Sequence, residues 1–286
     1  MNFTIIGSGG CVALPKPTCM CEVCQQARKE GAPYARHGCS LYLEDIRLLF
    51  DTPEDIVSAL NDSKIAGIDY ATFSHIDPDH TMGMRLFEHL RLSWLDVSIG
   101  KSCENPIKVF ALPNVLEDVT SIGSRRGSMM DYYEYAHHLI EREAVQREKI
   151  IDGIKITLVP AGISTAFVIE KERKKLIYAP CDAKPFPADD IFYDADVLIV
   201  GSVVPDYVLK DGFVMAPENK MLAEMLTLGE VKEITDQYDI KKTIITHIEE
   251  DYGRSYDDYI KLQEKYENLI FAYDGMKIIL GEPHGD

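Results

Sequence analysis

Residues 71–83 read "ATFSHIDPDHTMG". Within them His75, Asp77, Asp79 and His80 place two imidazoles and two carboxylates in six positions, directly after an apolar run. Pro78 stands among them. Its ring removes a backbone donor and clashes with the preceding helical turn, so the stretch cannot be a helix interior. It reads as a loop leaving a strand end, free to curl its side chains inward. Imidazole nitrogens and carboxylate oxygens that converge in this way suit one or two divalent metal ions. The plainer alternative is a solvated turn in which Asp77 caps the next helix. Four donors at this density favour metal.

Outward from this loop, strand and helix signals alternate. Strands are expected at "NFTIIGSGG" (2–10), in two pieces joined near Asp45 within "CSLYLEDIRLLFDTP" (39–53), and at "IDYATFSH" (68–75) and "IKVFALP" (107–113). Further strands are expected at "GIKITLVPAG" (153–162), "TAFVIEKERKKLIYAP" (165–180), "ADVLIVGSV" (195–203) and "KKTIITH" (241–247). Helices are expected over 53–65, 81–93, most of 113–148, 217–239 and 255–266. "LIFAYDGMKIIL" (269–280) reads as a closing hairpin turning at Asp274-Gly275. With no low-complexity linker, the reading is a single α/β domain over 1–286, with two mixed sheets, helices outside and a lid insertion at about 113–150. Two later apolar strands end in donors, "LIYAPCD" at Asp182 and "KKTIITH" at His247, and functional groups of α/β sheets gather where strands end.

The composition narrows the partner. Lys and Arg total 30 against 47 Asp and Glu, a net charge of −17. Such a field disfavours nucleic acid and favours a small-molecule substrate. No apolar run approaches the roughly 18 residues that cross a bilayer, and "MNFTIIGSGG" carries no secretory leader, so a cytoplasmic protein without a membrane partner is expected. A homodimer is compatible with the sequence.

Seven cysteines are an odd number for a disulfide framework. Three of them, Cys19, Cys21 and Cys24, fall within six residues, enough to wrap a structural zinc that lacks only a fourth donor. Cys11 and Cys181 adjoin Gly10 and Asp182, which would place them close to the metals, although residues of this kind are mostly small packing groups. "GSGG" (7–10) lacks the endings of a P-loop or dinucleotide fingerprint and reads as a tight turn.

Taken in order, "FSHIDPDHTMG", Asp182, "IITHI" and "YDGM" resemble the metallo-β-lactamase fold hydrolases. "GSGG", "CMCEVC" and "RHGCSLYLE" through "LLFDTPEDI" narrow the likeness to the group of PhnP, the phosphoribosyl cyclic phosphate phosphodiesterase, and more distantly PqqB. The resemblance implies a four-layer αβ/βα sandwich and one or two divalent ions, zinc, manganese or iron. Asp79, His80 and His247 would bind one ion, His75 and Asp77 the other, and Asp182 would bridge them; Asp79 and Asp182 would be the catalytic carboxylates. Hydroxide held by the metal would attack the phosphorus of a small phosphate ester, cyclic or nucleotide-like. Asp51, ending "LLFDTP", would orient the loop by hydrogen bonds. Glu250 stands where PhnP supplies a histidine as fourth ligand of the structural zinc, with Cys39 as a substitute.

Two departures accompany the likeness. Asp77 replaces a family histidine, and a carboxylate there favours harder ions such as manganese or ferrous iron. The turn Gly162-Ile163-Ser164 lacks a further family histidine. Either one ion binds, or His137 or His138 folds in to complete the pair, adjacent residues of a helix pointing about 100° apart. The alternative reading is a PqqB-like protein with a single ion, iron among the candidates, doing oxidative chemistry or only binding a ligand.

Overall fold

The computed structural model describes residues 1–281. Two seven-stranded sheets share one plan. The first holds β1 (Asn2–Gly7), β2 (Ser40–Leu43), β3 (Leu48–Phe50), β4 (Tyr70–Thr72), β5 (Ile107–Ala111) and β6 (Ile140–Ala144). The second holds β7 (Glu148–Ile151), β8 (Ile154–Ala161), β9 (Ser164–Lys171), β10 (Lys174–Ala179), β11 (Val197–Val200), β12 (Thr243–Ile245) and β13 (Leu269–Phe271). The last strand, β14 (Lys277–Ile279), returns to the first sheet. The orders are β14-β1-β2-β3-β4-β5-β6 and β13-β12-β11-β10-β9-β8-β7. In the first sheet β3 to β6 run parallel, in the second β10 to β13, and the other pairings are antiparallel.

The strand sequences explain the layering. A parallel strand covered on both faces reads as a continuous apolar run, because alternate residues enter different layers. On β10 and β11, Leu176, Tyr178, Val197 and Ile199 face the core between the sheets. Ile177, Ala179, Leu198 and Val200 pack outward with Val231 and Ile234 of the helix Leu228–Gln237 and Tyr259 of the helix Tyr256–Gln263. Phe50 joins the two sheets, edge-on to Phe167 and Tyr178 at centroid distances of 5.1 and 5.4 Å. The result is helices outside two face-to-face mixed sheets, the expected αβ/βα sandwich. No helix of the described residues is long and apolar enough to cross a membrane.

Four local expectations fail. The segment 269–280 is not a hairpin: β13 pairs with β12 and β14 with β1, so Asp274-Gly275 is a crossing between sheets. The stretch 113–148 is helical at Pro113–Ser121 and Met129–Ala136, but Ile140–Ala144 is the edge strand β6, parallel to β5. Of 217–239, the α-helix takes only Leu228–Gln237, started by a Thr227–Glu230 capping box. Pro78 begins the short helix Pro78–Thr81, where a missing donor costs nothing.

The turn aspartate at the crossing ties the chain's end to its beginning. Asp274 Oδ1 accepts from Ser8 N at 2.9 Å and Ser8 Oγ at 2.7 Å; Oδ2 accepts from His37 N at 2.6 Å and lies 3.0 Å from His37 Nδ1. The carboxylate hydrogen bond raises the His37 pKa above its ordinary 6.5, against the opposing effect of burial. Stability from a raised histidine is fully present below 6.5 and is lost as pH rises through the folded value. Asp274→Ala should therefore cost about 3 kcal/mol in urea unfolding at pH 6, since it strips a buried carboxylate from several donors. The cost should shrink as the pH is raised toward 9; a pH-independent cost would show that His37 contributes no charge.

Candidate metal centre

The strands that run parallel deliver their C-terminal ends to one edge of the sandwich, and the donors sit there. Asp51 follows β3, His75 to His80 follow β4, Cys181 and Asp182 follow β10, Ser202 follows β11 and His247 follows β12. Asp51, Asp182, Ser202 and His247 all have positive φ, between 44° and 61°. Left-handed backbone at non-glycine residues is costly and gathers where a site demands it.

A hydrogen-bonded chain fixes the imidazoles. Asp51, fully buried, accepts at Oδ1 from Ser74 N at 2.7 Å; its Oδ2 accepts from Ser74 Oγ at 2.7 Å and lies 2.9 Å from His80 Nδ1. Having donated to Asp51, Ser74 Oγ accepts from His75 Nδ1 at 2.9 Å. Both Nδ1 atoms thus carry protons, and both Nε2 atoms are left buried and without a hydrogen-bond partner among the other donors. Thr165 Oγ1 donates to Ser74 O at 2.9 Å, holding the loop from the second sheet. The ring centroids of His75 and His80 are 4.3 Å apart, and His80 stacks on His247 at 5.3 Å.

Three donor groups result. Asp79, His80 and His247 form one, His75, Asp77 and Asp182 a second, and His75, His80 and Cys181 a third; the ligating atoms within each lie within 4.8 Å of one another. Asp79 Oδ2 is 3.2 Å from His247 Nε2 and 3.5 Å from His80 Nε2, and Asp77 Oδ2 is 3.5 Å from His75 Nε2. Every active-centre donor expected from the sequence is therefore in the cluster, with Asp51 behind it.

The electrostatics call for cations. Asp51, Asp77, Asp79, Asp182 and Glu249 surround three imidazoles. Burial opposes charging His75 and His80, but Asp77 and Cys181 push the first up to about 10, and Asp51 pushes the second up to about 9. Burial likewise raises Asp182 to about 6, reinforced by Cys181. For Asp79 burial is outweighed by His247 and His80, which hold the carboxyl well below its usual range. A pocket that attracts protons this strongly, with orphaned imidazole nitrogens aimed into it, fits a divalent ion.

Two participants escaped the sequence reading. Ser74 relays between Asp51 and His75. Glu249 Oε1 lies 3.3 Å from His247 Nδ1, and its two oxygens accept from Cys11 N and Val12 N at 2.9 and 3.0 Å. Gly10 admits this carboxylate, since a Cβ there would lie 2.1 Å from Glu249 Oε1. Of the two readings open for Cys181, the one close to the metals fits: its sulfur joins His75 and His80 in the cluster. His138 and its neighbour His137 precede β6, at the opposite end of the first sheet; His138 Nδ1 lies 3.1 Å from Cys103 O. Neither histidine completes the centre.

The cysteine knot lies one strand exit away. Glu250 Oε1 is 3.1 Å from Cys24 Sγ, 3.5 Å from Cys21 Sγ and 3.8 Å from Cys19 Sγ, and its Oε2 is buried without a partner. Lys210 Nζ contacts Glu250 and lies 3.3 Å from Cys19 Sγ. Cys39 is elsewhere, 3.5 Å from Tyr178 OH, so it is not the fourth donor. The four groups fit a closed tetrahedral zinc site.

No family model and no curated protein matches the chain. Among solved structures, Zn2+-bound PqqB from Methylobacterium extorquens aligns over 98% of this chain and 100% of its own, with a TM-score of 0.72 at 19% identity. A diphosphatase from the PhnP family aligns over 98% of both chains, with a TM-score of 0.68 at 18% identity. The metallo-β-lactamase fold protein YhfI from Bacillus subtilis covers 97% of this chain and 98% of its own, with a TM-score of 0.63 at 15% identity. At such identities the likeness establishes the fold, which is the metallo-β-lactamase fold.

Asp51→Asn tests the relay. The amide keeps the shape but presents one acceptor where two are used, so His80 or Ser74 loses its partner. Zinc affinity of the centre, measured by chelator competition, should fall about 10–100-fold, the usual cost of losing a ligand-orienting partner. Unchanged affinity with a folded protein would show that the imidazoles orient themselves.

Proposed function

We propose that the chain is a metal-dependent hydrolase acting on a small phosphate ester, a phosphodiester of cyclic or nucleotide-like kind. The observation that carries this reading is the pair of donor groups, Asp79, His80 and His247 beside His75, Asp77 and Asp182, facing each other at the parallel strand ends. Divalent ions bound there would supply Lewis acidity, orientation and water of lowered pKa.

The chain's residues set the conditions for that chemistry. Asp51 and Ser74 keep the Nδ1 protons of His80 and His75, so each Nε2 lone pair points inward. Glu249 lies 3.3 Å from His247 Nδ1 without a hydrogen bond to it, and accepts from the amides of Cys11 and Val12. The carboxylates of Asp77, Asp79 and Asp182 would repel an anionic ester unless cations neutralise them, which ties substrate binding to metal binding. The net charge of −17 works against a long polyanion and leaves a small phosphate ester as the better fit. Of the two similar structures, the PhnP-family protein is a diphosphatase, and that likeness supports the phosphorus chemistry.

The test is turnover of bis(nitrophenyl) phosphate by protein purified without chelator. His80→Ala and Asp182→Ala should each lower kcat by more than the roughly 10–100-fold that follows loss of an outer hydrogen-bonding partner, with unfolding curves close to the parent's. Chelation should abolish turnover and added zinc or manganese restore it. Undiminished activity of both variants would move the reaction out of this cleft; turnover that requires dioxygen and iron would indicate oxidative chemistry at a single ion instead.

A further inference from the structure

We infer that Cys181 is a thiolate ligand of the active centre, standing in for the histidine that the turn Gly162-Ile163-Ser164 does not supply and joining the two donor groups through one sulfur. The inference rests on the reading that the centre holds metal.

The geometry assigns the role. Cys181 is 5% exposed, so its sulfur is closed off from solvent. Its Sγ and one ring nitrogen each of His75 and His80 lie within 4.8 Å of one another. These two histidines belong to different donor groups, so the sulfur stands between the halves. The Nε2 atoms of both rings are buried and unpartnered, which is what donors awaiting a shared cation look like. On its other side Sγ is 3.1 Å from Ser202 Oγ, a contact that holds the sulfur in place.

The neighbouring turn explains why a cysteine is needed. Gly162 has φ 58°, and a Cβ on it would lie 2.3 Å from Asp182 O and 3.0 Å from Lys184 O. The turn therefore presses its bare backbone onto the Cys181–Asp182 exit. Ile163 is 63% exposed, and Ser164 offers a hydroxyl in place of an imidazole. The exit of β10 supplies donors to this quarter of the site, and Cys181 is the one grouped with both His75 and His80.

A thiolate changes the metal. Asp77 alone would favour harder ions, but sulfur and imidazole donors favour zinc, cobalt or ferrous iron over manganese. The centre should thus prefer zinc to manganese, and Cys181→Ser should weaken that preference.

Full-length protein stripped by chelator and reloaded with cobalt(II) provides the test, comparing wild type, Cys181→Ser and Cys24→Ser by metal content and by near-ultraviolet thiolate-to-cobalt charge transfer. The wild type should show absorbance from both the cysteine knot and the centre. Cys181→Ser should lose the centre's share, and Cys24→Ser should retain it. Equal absorbance per bound cobalt in Cys181→Ser and wild type would overturn the inference. If Cys24→Ser binds no cobalt at all, the metal centre itself fails, and the ligand assignment with it. A measurement on unmutated zinc protein guards against misfolded variants. X-ray absorption should count five zinc–sulfur bonds per chain at about 2.3 Å with two ions on Cys181, or four with one, and three would confine zinc–sulfur bonding to the knot.

Discussion

The buried carboxylate of Asp51 is the constraint on which the site depends. A charge with no solvent contact must be matched by donors, and breaking one of its partners is far more costly than at the surface. Asp51 meets this demand with Ser74 N, Ser74 Oγ and His80 Nδ1, all from the segment after β4. It can do so only with its own backbone at φ 61°, where β3 stops and the chain turns back. Satisfying one buried charge therefore fixes the end of β3, the path of the loop after β4 and the tautomers of His75 and His80 together.

The exit from β12 plays the corresponding part on the second sheet. Within four residues, His247 enters the centre, Glu249 lies beside His247 and accepts from the amides of Cys11 and Val12, and Glu250 turns to the cysteine knot. Ile248 N donates to Ser8 O at 2.9 Å between them, so the segment is pinned to the N-terminal loop by backbone as well as side chains. The knot and the centre are thus supported by one short run of chain. An ion at the knot would order the loop that Glu249 holds and stiffen His247 from outside.

Much of this was legible in the sequence, for identifiable reasons. Donors concentrated at the ends of apolar runs marked the edge where the site lies, whereas the layering of the sandwich came from the family resemblance and not from strand periodicity. What failed was non-local. Asp274-Gly275 has the local chemistry of a hairpin turn, yet β13 and β14 choose partners in different sheets, which turn residues do not encode. Ile140–Ala144 carries charged residues because it is an edge strand, and that polarity masked its pairing with β5. Ser74 and Glu249 looked ordinary singly, and Cys181 was marked only by its place beside Asp182. Only the positions of Asp51, His247 and the bare turn at Gly162 give them roles.

On the reading proposed above, Asp51 and the strand ends would prepare one centre with adjoining cation positions, distinct from the knot. Anomalous diffraction at the zinc edge from crystals grown with zinc measures this directly. Peaks are expected among Cys19, Cys21, Cys24 and Glu250 and among Asp79, His80 and His247, with density at the group of His75, Asp77 and Asp182 beside Cys181. A peak at the knot alone, with the imidazoles of His75 and His80 still bonded through Ser74 and Asp51, would contradict that reading.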